Sequence, residues 1–127
     1  MSINQKIKIE YNITVFNMEI TYANSRIQKI CTNDKAAQKM LGKVCAHTLR
    51  NRLDQMTEAN NLEELRFVAG AWHELKGDRK GQLACSLLGR TRLIFSPANI
   101  PRPTKPDGGL DWSGITKIEH VEIIDYH

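Results

Sequence analysis

Ile7, Ile9, Tyr11, Ile13 and Val15 alternate with polar residues, the period of a strand with one face buried. The phase slips at Phe16-Asn17, because Met18, Ile20 and Tyr22 continue on even numbers. A bulge, a turn or the meeting of two strands falls there. After Tyr22-Ala23 the period lengthens to that of a helix. Asn24 or Ser25 caps a short helix reaching about Cys31, and Thr32-Asn33-Asp34 starts a longer one with a carboxylate in its first turn. Along it Ala37, Leu41, Val44, Cys45, Leu49, Leu53 and Met56 recur at spacings of three and four and predict a core stripe. Gly42, inside the stripe, is the place for a bend or a close approach. Leu62-Glu63-Glu64-Leu65 adds a further turn.

From His73 onward the period is two. Leu83, Cys85 and Leu87 share a face and Gly89 supplies a turn; Thr91, Leu93 and Phe95 then oppose Arg90, Arg92 and Ile94, which predicts an antiparallel hairpin carrying two guanidiniums side by side. All 4 prolines fall in the next segment, together with Gly108 and Gly109, so residues 96–114 form an irregular loop, and loops of this length are functional or mobile. A last strand from about Ile115 to Asp125 sends Ile118, Val121, Ile123 and Ile124 to both sides, as a strand covered on two faces does. Helices followed by an antiparallel sheet make an α+β fold: helices on one face of a mainly antiparallel, curved sheet, with the other face concave and exposed.

A chain of 127 residues supports one core. Its 41% apolar and 25% charged residues exclude a disordered or membrane class, and no run approaches the ~20 apolar residues of a spanning helix. With no apolar segment of the signal-peptide type at the start, the expected location is cytoplasmic. Cys31, Cys45 and Cys85 are odd in number and lack C-x-x-C spacing, so they read as reduced, structural thiols. The net charge of +4 matters less than its distribution. Arg26, Lys29, Lys35, Lys39, Lys43, Arg50 and Arg52 face a single acid, Asp34; Lys76, Arg79, Lys80, Arg90 and Arg92 face Asp78 alone; the segment from Asp107 onward is acidic. Segregation of this kind suits a polyanion or an acidic partner, and equally a solvated helix face. The cations that would meet such a polyanion are Lys35, Lys39, Lys43, Arg50, Arg79, Lys80 and Arg90.

The densest chemistry lies in Trp72-His73-Glu74-Leu75-Lys76-Gly77-Asp78-Arg79-Lys80-Gly81 and in Asp125-Tyr126-His127. Two imidazoles, several cations, carboxylates and a phenol equip a site to move a proton near a phosphate. The run H-x-L-K-G-D-x-x-G, the hairpin ending Arg92-Leu93-Ile94-Phe95 and the final D-Y-H together resemble the HigB-type toxins of the RelE/ParE superfamily, the toxin halves of bacterial type II toxin–antitoxin pairs. The resemblance runs from about Met18 to the last residue. It implies a RelE-like fold and ribosome-dependent cleavage of messenger RNA, an endoribonuclease reaction in which a ribose 2′-oxygen attacks the adjacent phosphate. Carried over by position, His73 and His127 resemble the proton-handling pair and Lys76 and Arg92 the charge-stabilising pair. The resemblance further implies that Tyr126 stacks on a base or bonds the phosphate and that Asp125 orients an imidazole. No metal or other cofactor is implied. The partners implied are a helix-turn-helix antitoxin of the HigA type, the ribosome with its mRNA, and operator DNA reached only through the antitoxin; no membrane is involved.

Other readings stand beside these. His73 can simply bond a loop carbonyl, Lys76-Gly77-Asp78 is an ordinary turn sequence, and Arg90 and Arg92 can pair with Glu119 or Glu122. Strict alternation sets Tyr126 opposite Asp125 and His127. Leu83-Ala84 stands where related toxins commonly carry an aromatic, with Trp72 and Trp112 as possible compensation. Residues 1–17 lie outside the resemblance and read as an N-terminal extension strand, with a single RelE-like domain over 18–127 and Met18 as a possible original start. Two alternative functions follow: a ParE-like, gyrase-directed toxin acting by binding, and a catalytically silent module that binds only its antitoxin.

Overall fold

The computed structural model describes residues 7–10 and 13–125, with side chains from Asn17 onward. The N-terminal alternation, read as one strand, is two: β1 (Ile7–Glu10) pairs antiparallel with β2 (Ile13–Phe16), Ile7 opposite Phe16, in a sheet of their own. The phase slip at Phe16-Asn17 marks where β2 gives way to β3 (Glu19–Tyr22), which belongs to a second sheet. Between these strands Met18 is fully buried, and its N–H donates to the Ala59 carbonyl.

Helix α1 (Ser25–Thr32) is capped by Asn24, whose side-chain oxygen accepts from the Ile27 N–H. Asn33 serves two helices. Its N–H bonds Lys29 at the end of α1, and its side chain accepts from Ala36 at the start of α2 (Asp34–Leu41). A short polar side chain with extended backbone suits both jobs. The long helix predicted from Asp34 is in fact broken at Gly42, which has φ 82° and ψ 161°, and α3 (Lys43–Glu58) starts anew. The Gly42 N–H still reaches Gln38 and its carbonyl takes Ala46, so both helix ends stay satisfied across the break. Reorientation at Gly42 leaves Val44 65% exposed and so removes it from the predicted stripe, while Ala37, Cys45, Leu49, Leu53 and Met56 are buried as expected. A 3-10 turn, Leu62–Phe67, follows, capped by Asn61 with Leu62 and Leu65 buried.

The second sheet has five strands in the order β3-β7-β6-β5-β4, where β4 is His73–Glu74, β5 Leu83–Ser86, β6 Thr91–Pro97 and β7 Lys117–Asp125. Strand β3 runs parallel to β7, and the other three pairings are antiparallel, so the sheet is mixed. Leu83, Cys85, Leu93, Phe95 and Ile118 belong to one core with the helix side chains Ile27, Leu49, Leu53 and Met56. Each such side chain contributes roughly 1.5–3 kcal/mol by leaving water. Where β6 meets β7 the register slips: Ile94 faces Glu122 while Phe95 faces His120, leaving Val121 as the bulge.

The loop expected over residues 96–114 is shorter than that, because Ser96 and Pro97 still pair within β6 and Trp112–Gly114 forms a 3-10 turn; what lies between is irregular but tied down. Asn99 accepts from the Thr116 and Lys117 N–H groups and donates to the Thr116 hydroxyl. Further along, Thr104 bridges Leu110 and the Asp111 N–H bonds Pro103. The hairpin turn before β6 also differs from expectation: Arg90 sits in the turn, outside the strand, so the two guanidiniums do not stand side by side on β6.

Candidate functional site

Cross-strand register places His73 in one row with Ala84, Ile94 and Glu122, and the neighbouring row holds Ser86, Arg92 and Ile124. Paired residues share a face and alternate residues along a strand return to it, so His73 and Arg92 lie on the face turned away from the helices. Two strand spacings sideways and two residues along give roughly 12 Å between their Cα atoms, a span that two side chains of this length close around one phosphate. Asp125 does not join them. It pairs with Thr91 in the row next to Leu93 and Ile123, on the helix side. Tyr126 and His127 lie outside the described residues.

His73 is exposed, and its Nδ1 sits 2.8 Å from the Ala71 carbonyl. A carbonyl only accepts, so Nδ1 carries the proton in the neutral ring and Nε2 keeps its lone pair. The acceptor residue is itself unusual: Ala71 has φ 51°, the left-handed region that a residue with a Cβ rarely enters. The strand position is fixed from below by Gly70, whose carbonyl takes both the backbone N–H and the hydroxyl of Ser86. A Cβ at Gly70 would lie 2.6 Å from the Trp72 indole nitrogen.

Lys76 follows in the turn that closes β4 onto β5, exposed, with no side-chain bond among the described residues. Arg92 donates through Nη1 to the Gly89 and Thr91 carbonyls, leaving Nε and Nη2 uncommitted to any described acceptor. The carboxylate of Glu122 is taken by Arg79, not by Arg90 or Arg92: Nη2 of Arg79 lies 2.9 Å from Glu122 and Nη1 the same distance from Gln82. With its two partners on β7 and at the start of β5, the Arg79 guanidinium passes over β6. Beneath it Ala84 and Ile94 have no exposure at all. The face expected to be open throughout is therefore open only at its rim.

The basic residues divide by what holds them. Arg50 donates to the Cys31 carbonyl and pairs with Asp34 and Asp54, and Arg52 donates to the Ser86 carbonyl and to Gln55. These two arginines were expected on the wet side but tie α3 to its neighbours. Lys35 and Lys39 join Arg26 and Lys29 around an apolar-floored groove of about 580 Å³ between α1 and α2. Lys43 lies near Arg50 and His47, Arg90 is at the exposed hairpin tip, and Lys80 borders a cleft beside Lys76.

Three features escaped the sequence reading. Glu74, on the helix side of β4, accepts from the Trp112 indole N–H at 2.9 Å, and Arg66 covers that indole 3.9 Å from its centroid. Arg102 lies across Gly81 from the far loop. His120 is wholly buried against Tyr22 and Phe95, with neither ring nitrogen bonded among the described residues, and burial pushes its pKa down to about 4. A period-two pattern would have put His120 on the core face with Ile118; nothing in sequence says it lacks a partner. The thiols are free and buried, and burial pushes Cys31 and Cys85 up to about 12.

With this geometry in view, the fold is similar to that of the YoeB/ParE toxin from Agrobacterium tumefaciens, at a TM-score of 0.53 and 10% sequence identity, over 87% of this chain and 100% of that one. The chain thus shares the α+β architecture of that protein. At such identity the likeness carries no residue roles. No family model and no curated protein matches the sequence. Among the described residues no helix is long and apolar enough to cross a membrane.

Proposed function

We propose that the chain is the toxin of a type II toxin–antitoxin pair, of the HigB kind, and that it cuts messenger RNA on the ribosome. The observation that carries this reading is the placement of His73 and Arg92 on the sheet face free of helices, in a fold similar to that of a toxin, with Lys76 in the turn that follows β4. In the reaction the 2′-hydroxyl loses its proton to a base as its oxygen attacks phosphorus. The P–O5′ bond breaks and the leaving oxygen takes a proton, which gives a 2′,3′-cyclic phosphate and a 5′-hydroxyl. Nε2 of His73 is a suitable base or acid, with His127 as its counterpart and Tyr126 against the base or phosphate. Lys76 and the free nitrogens of Arg92 offset the charge that builds on the phosphoryl oxygens. Asp125, on the other face, acts at most through the strand end.

Lys35, Lys39, Lys43 and Arg90 are cations with no described ion pair, available to meet ribosomal RNA with an affinity that falls as salt rises. The natural restraint is a helix-turn-helix antitoxin of the HigA kind, through which alone operator DNA is reached, and the setting is the cytoplasm. Mapping transcript 5′ ends after induction tests the reading: in-frame cuts clustered in coding regions are expected, lost with His73→Ala and Arg92→Ala. His73→Ala should lower the cleavage rate by ~10²–10⁴-fold, the usual worth of general acid–base help.

A second reading is a ParE-like toxin that acts on gyrase by binding alone. It draws on the internal acceptors that occupy Arg79 and part of Arg92. Stalled replication with intact transcripts, unchanged in the double variant, would select it.

A further inference from the structure

Beside β4, on the opposite flank from the His73 row, a cleft of about 530 Å³ opens between the Lys76–Gly81 turn and the loop carrying Arg102 to Leu110. Glu74, Lys76, Lys80, Gly81, Arg102 and Leu110 are among its walls. None of the three cations has an ion pair or side-chain hydrogen bond among the described residues, whereas Arg50, Arg66 and Arg79 are all paired. The one carboxylate in the cleft, Glu74, already accepts the Trp112 N–H. Glycines at 77, 81, 108 and 109 leave part of the wall as bare backbone, beside Leu75 and Thr104. Gly81 in particular has φ 93°, and a Cβ there would meet Nη1 of Arg102 at 2.5 Å. Glycine at this position therefore lets the guanidinium lie down onto the turn beside Lys80. The loop holds Arg102 in place through the Thr104–Leu110 bridge, the Lys105–Gly109 hydrogen bond at 2.7 Å and the Asp111–Pro103 bond.

Cations with no described partner, gathered around a cavity and presented in part on a stapled loop, make a preorganised site open to an anion. We infer that this cleft is a phosphate subsite for single-stranded RNA, held by Lys80 and Arg102 and joined to the sheet face through Lys76, so that the strand crosses the β4 edge as it leaves the His73–Arg92 face. An RNA strand carries ribose hydroxyl and base N–H donors beside its phosphates, so Glu74 can accept from the same ligand whose phosphates meet the cations. The inference rests on the ribonuclease reading for its ligand class and extends it to the proline-rich loop, to which the sequence assigns no role.

The test is binding of 2′-O-methyl RNA, which cannot be cleaved, to the full chain at low salt, comparing a trinucleotide with a nonanucleotide by fluorescence anisotropy. The wild type should gain affinity with length. Arg102→Ala and, separately, Lys80→Ala should each lose roughly tenfold on the long oligonucleotide while binding the short one unchanged, with a salt slope smaller by about one. Lys105→Ala, a charge on the same loop outside the cleft, should keep the full gain. Both Arg102 and Lys80 are exposed and bond nothing else described, so folding is expected to survive either change. Equal length gains in wild type and both variants, or no binding by the wild type, would overturn the subsite. Tighter, Arg102-dependent capture of polyglutamate than of RNA would also overturn it, in favour of an acidic protein. Transcript mapping stands apart from these outcomes. Absent cuts with Arg102-dependent RNA binding would sink the nuclease reading and leave the subsite standing, and cuts with no length effect would do the reverse.

Discussion

Arg79 reaches from the turn after β4 across β6 to hold Glu122 at 2.9 Å, so an acid and a base that are 43 residues apart share the centre of the sheet's outer face. Ala84 and Ile94, in the same register row as Glu122, have no exposure, and the pair places a carboxylate on the face where the proposed substrate carries phosphate. Both partners are partly exposed, at 31% and 45% of their side chains, so the bridge contributes only about 0.5–1 kcal/mol to stability. Its larger effect is on charge. Glu122→Gln keeps the shape and an acceptor for Arg79 but removes the negative charge. Binding of 2′-O-methyl RNA at low salt should tighten severalfold, while the melting midpoint drops by about 2–4 °C. Weaker RNA binding in this variant would show that Glu122 positions Arg79 for the ligand and does not compete with it.

Gly42 separates α2 from α3 with a backbone that an L-residue rarely adopts, and a Cβ there would meet nothing within 4 Å. Steric crowding is therefore excluded as a cost, and only conformational strain remains. Gly42→Ala should destabilise by ~1–3 kcal/mol, read as a lower urea midpoint with an unchanged m-value. A neutral result would mean that α2 and α3 can run on as one helix, as the hydrophobic spacing alone suggests.

That spacing explains what was legible and what was not. Ala37, Leu41, Cys45 and Leu49 keep a step of four across position 42, so periodicity passes over the break without a mark. The strand faces were legible, since Leu83, Cys85, Leu93 and Phe95 alternate and their register follows from a short turn at Gly89. The caps Asn24 and Asn33 were legible for a local reason as well: their partners lie three residues away. Long-range partners were not. Arg50 and Arg52 look like surface charges until Cys31 and Ser86 carbonyls, 19 and 34 residues distant, claim them. Parity put Arg92 on the outer face, but only the register of three strands puts His73 beside it. Arg102 joins the cleft through a turn that no period announces.

The cysteines offer a simple check on packing. All 3 are buried and free, and loss of hydration holds the thiols of Cys31 and Cys85 in their unreactive protonated form, up to about 12. Iodoacetamide at pH 8 should label the native chain far more slowly than the urea-unfolded one, with Cys85 the slowest because it has no exposure. Mass spectrometry of timed digests reads this site by site. Rapid labelling of Cys85 under native conditions would mean that β5 opens readily.

His120 gives the pH dependence. Its ring lies between Tyr22 and Phe95 with both nitrogens unbonded among the described residues, and burial lowers its pKa to about 4. In the unfolded chain the same group titrates near ~6.5. Between these values the unfolded state binds a proton that the native state refuses, so stability rises with pH. The contribution is complete above about pH 6.5, declines as the pH falls, and levels off below about 4. A displacement of this size corresponds to about 3 kcal/mol lost over the window, enough to shift the urea midpoint measurably between pH 7 and 5. His120→Leu removes the titration and two unsatisfied nitrogens at similar volume. Its midpoint should stay flatter across that range and exceed the wild type at pH 5 by the larger margin. An undiminished slope in the variant would assign the acid sensitivity to carboxylates, and would imply that His120 finds a hydrogen-bond partner in solution.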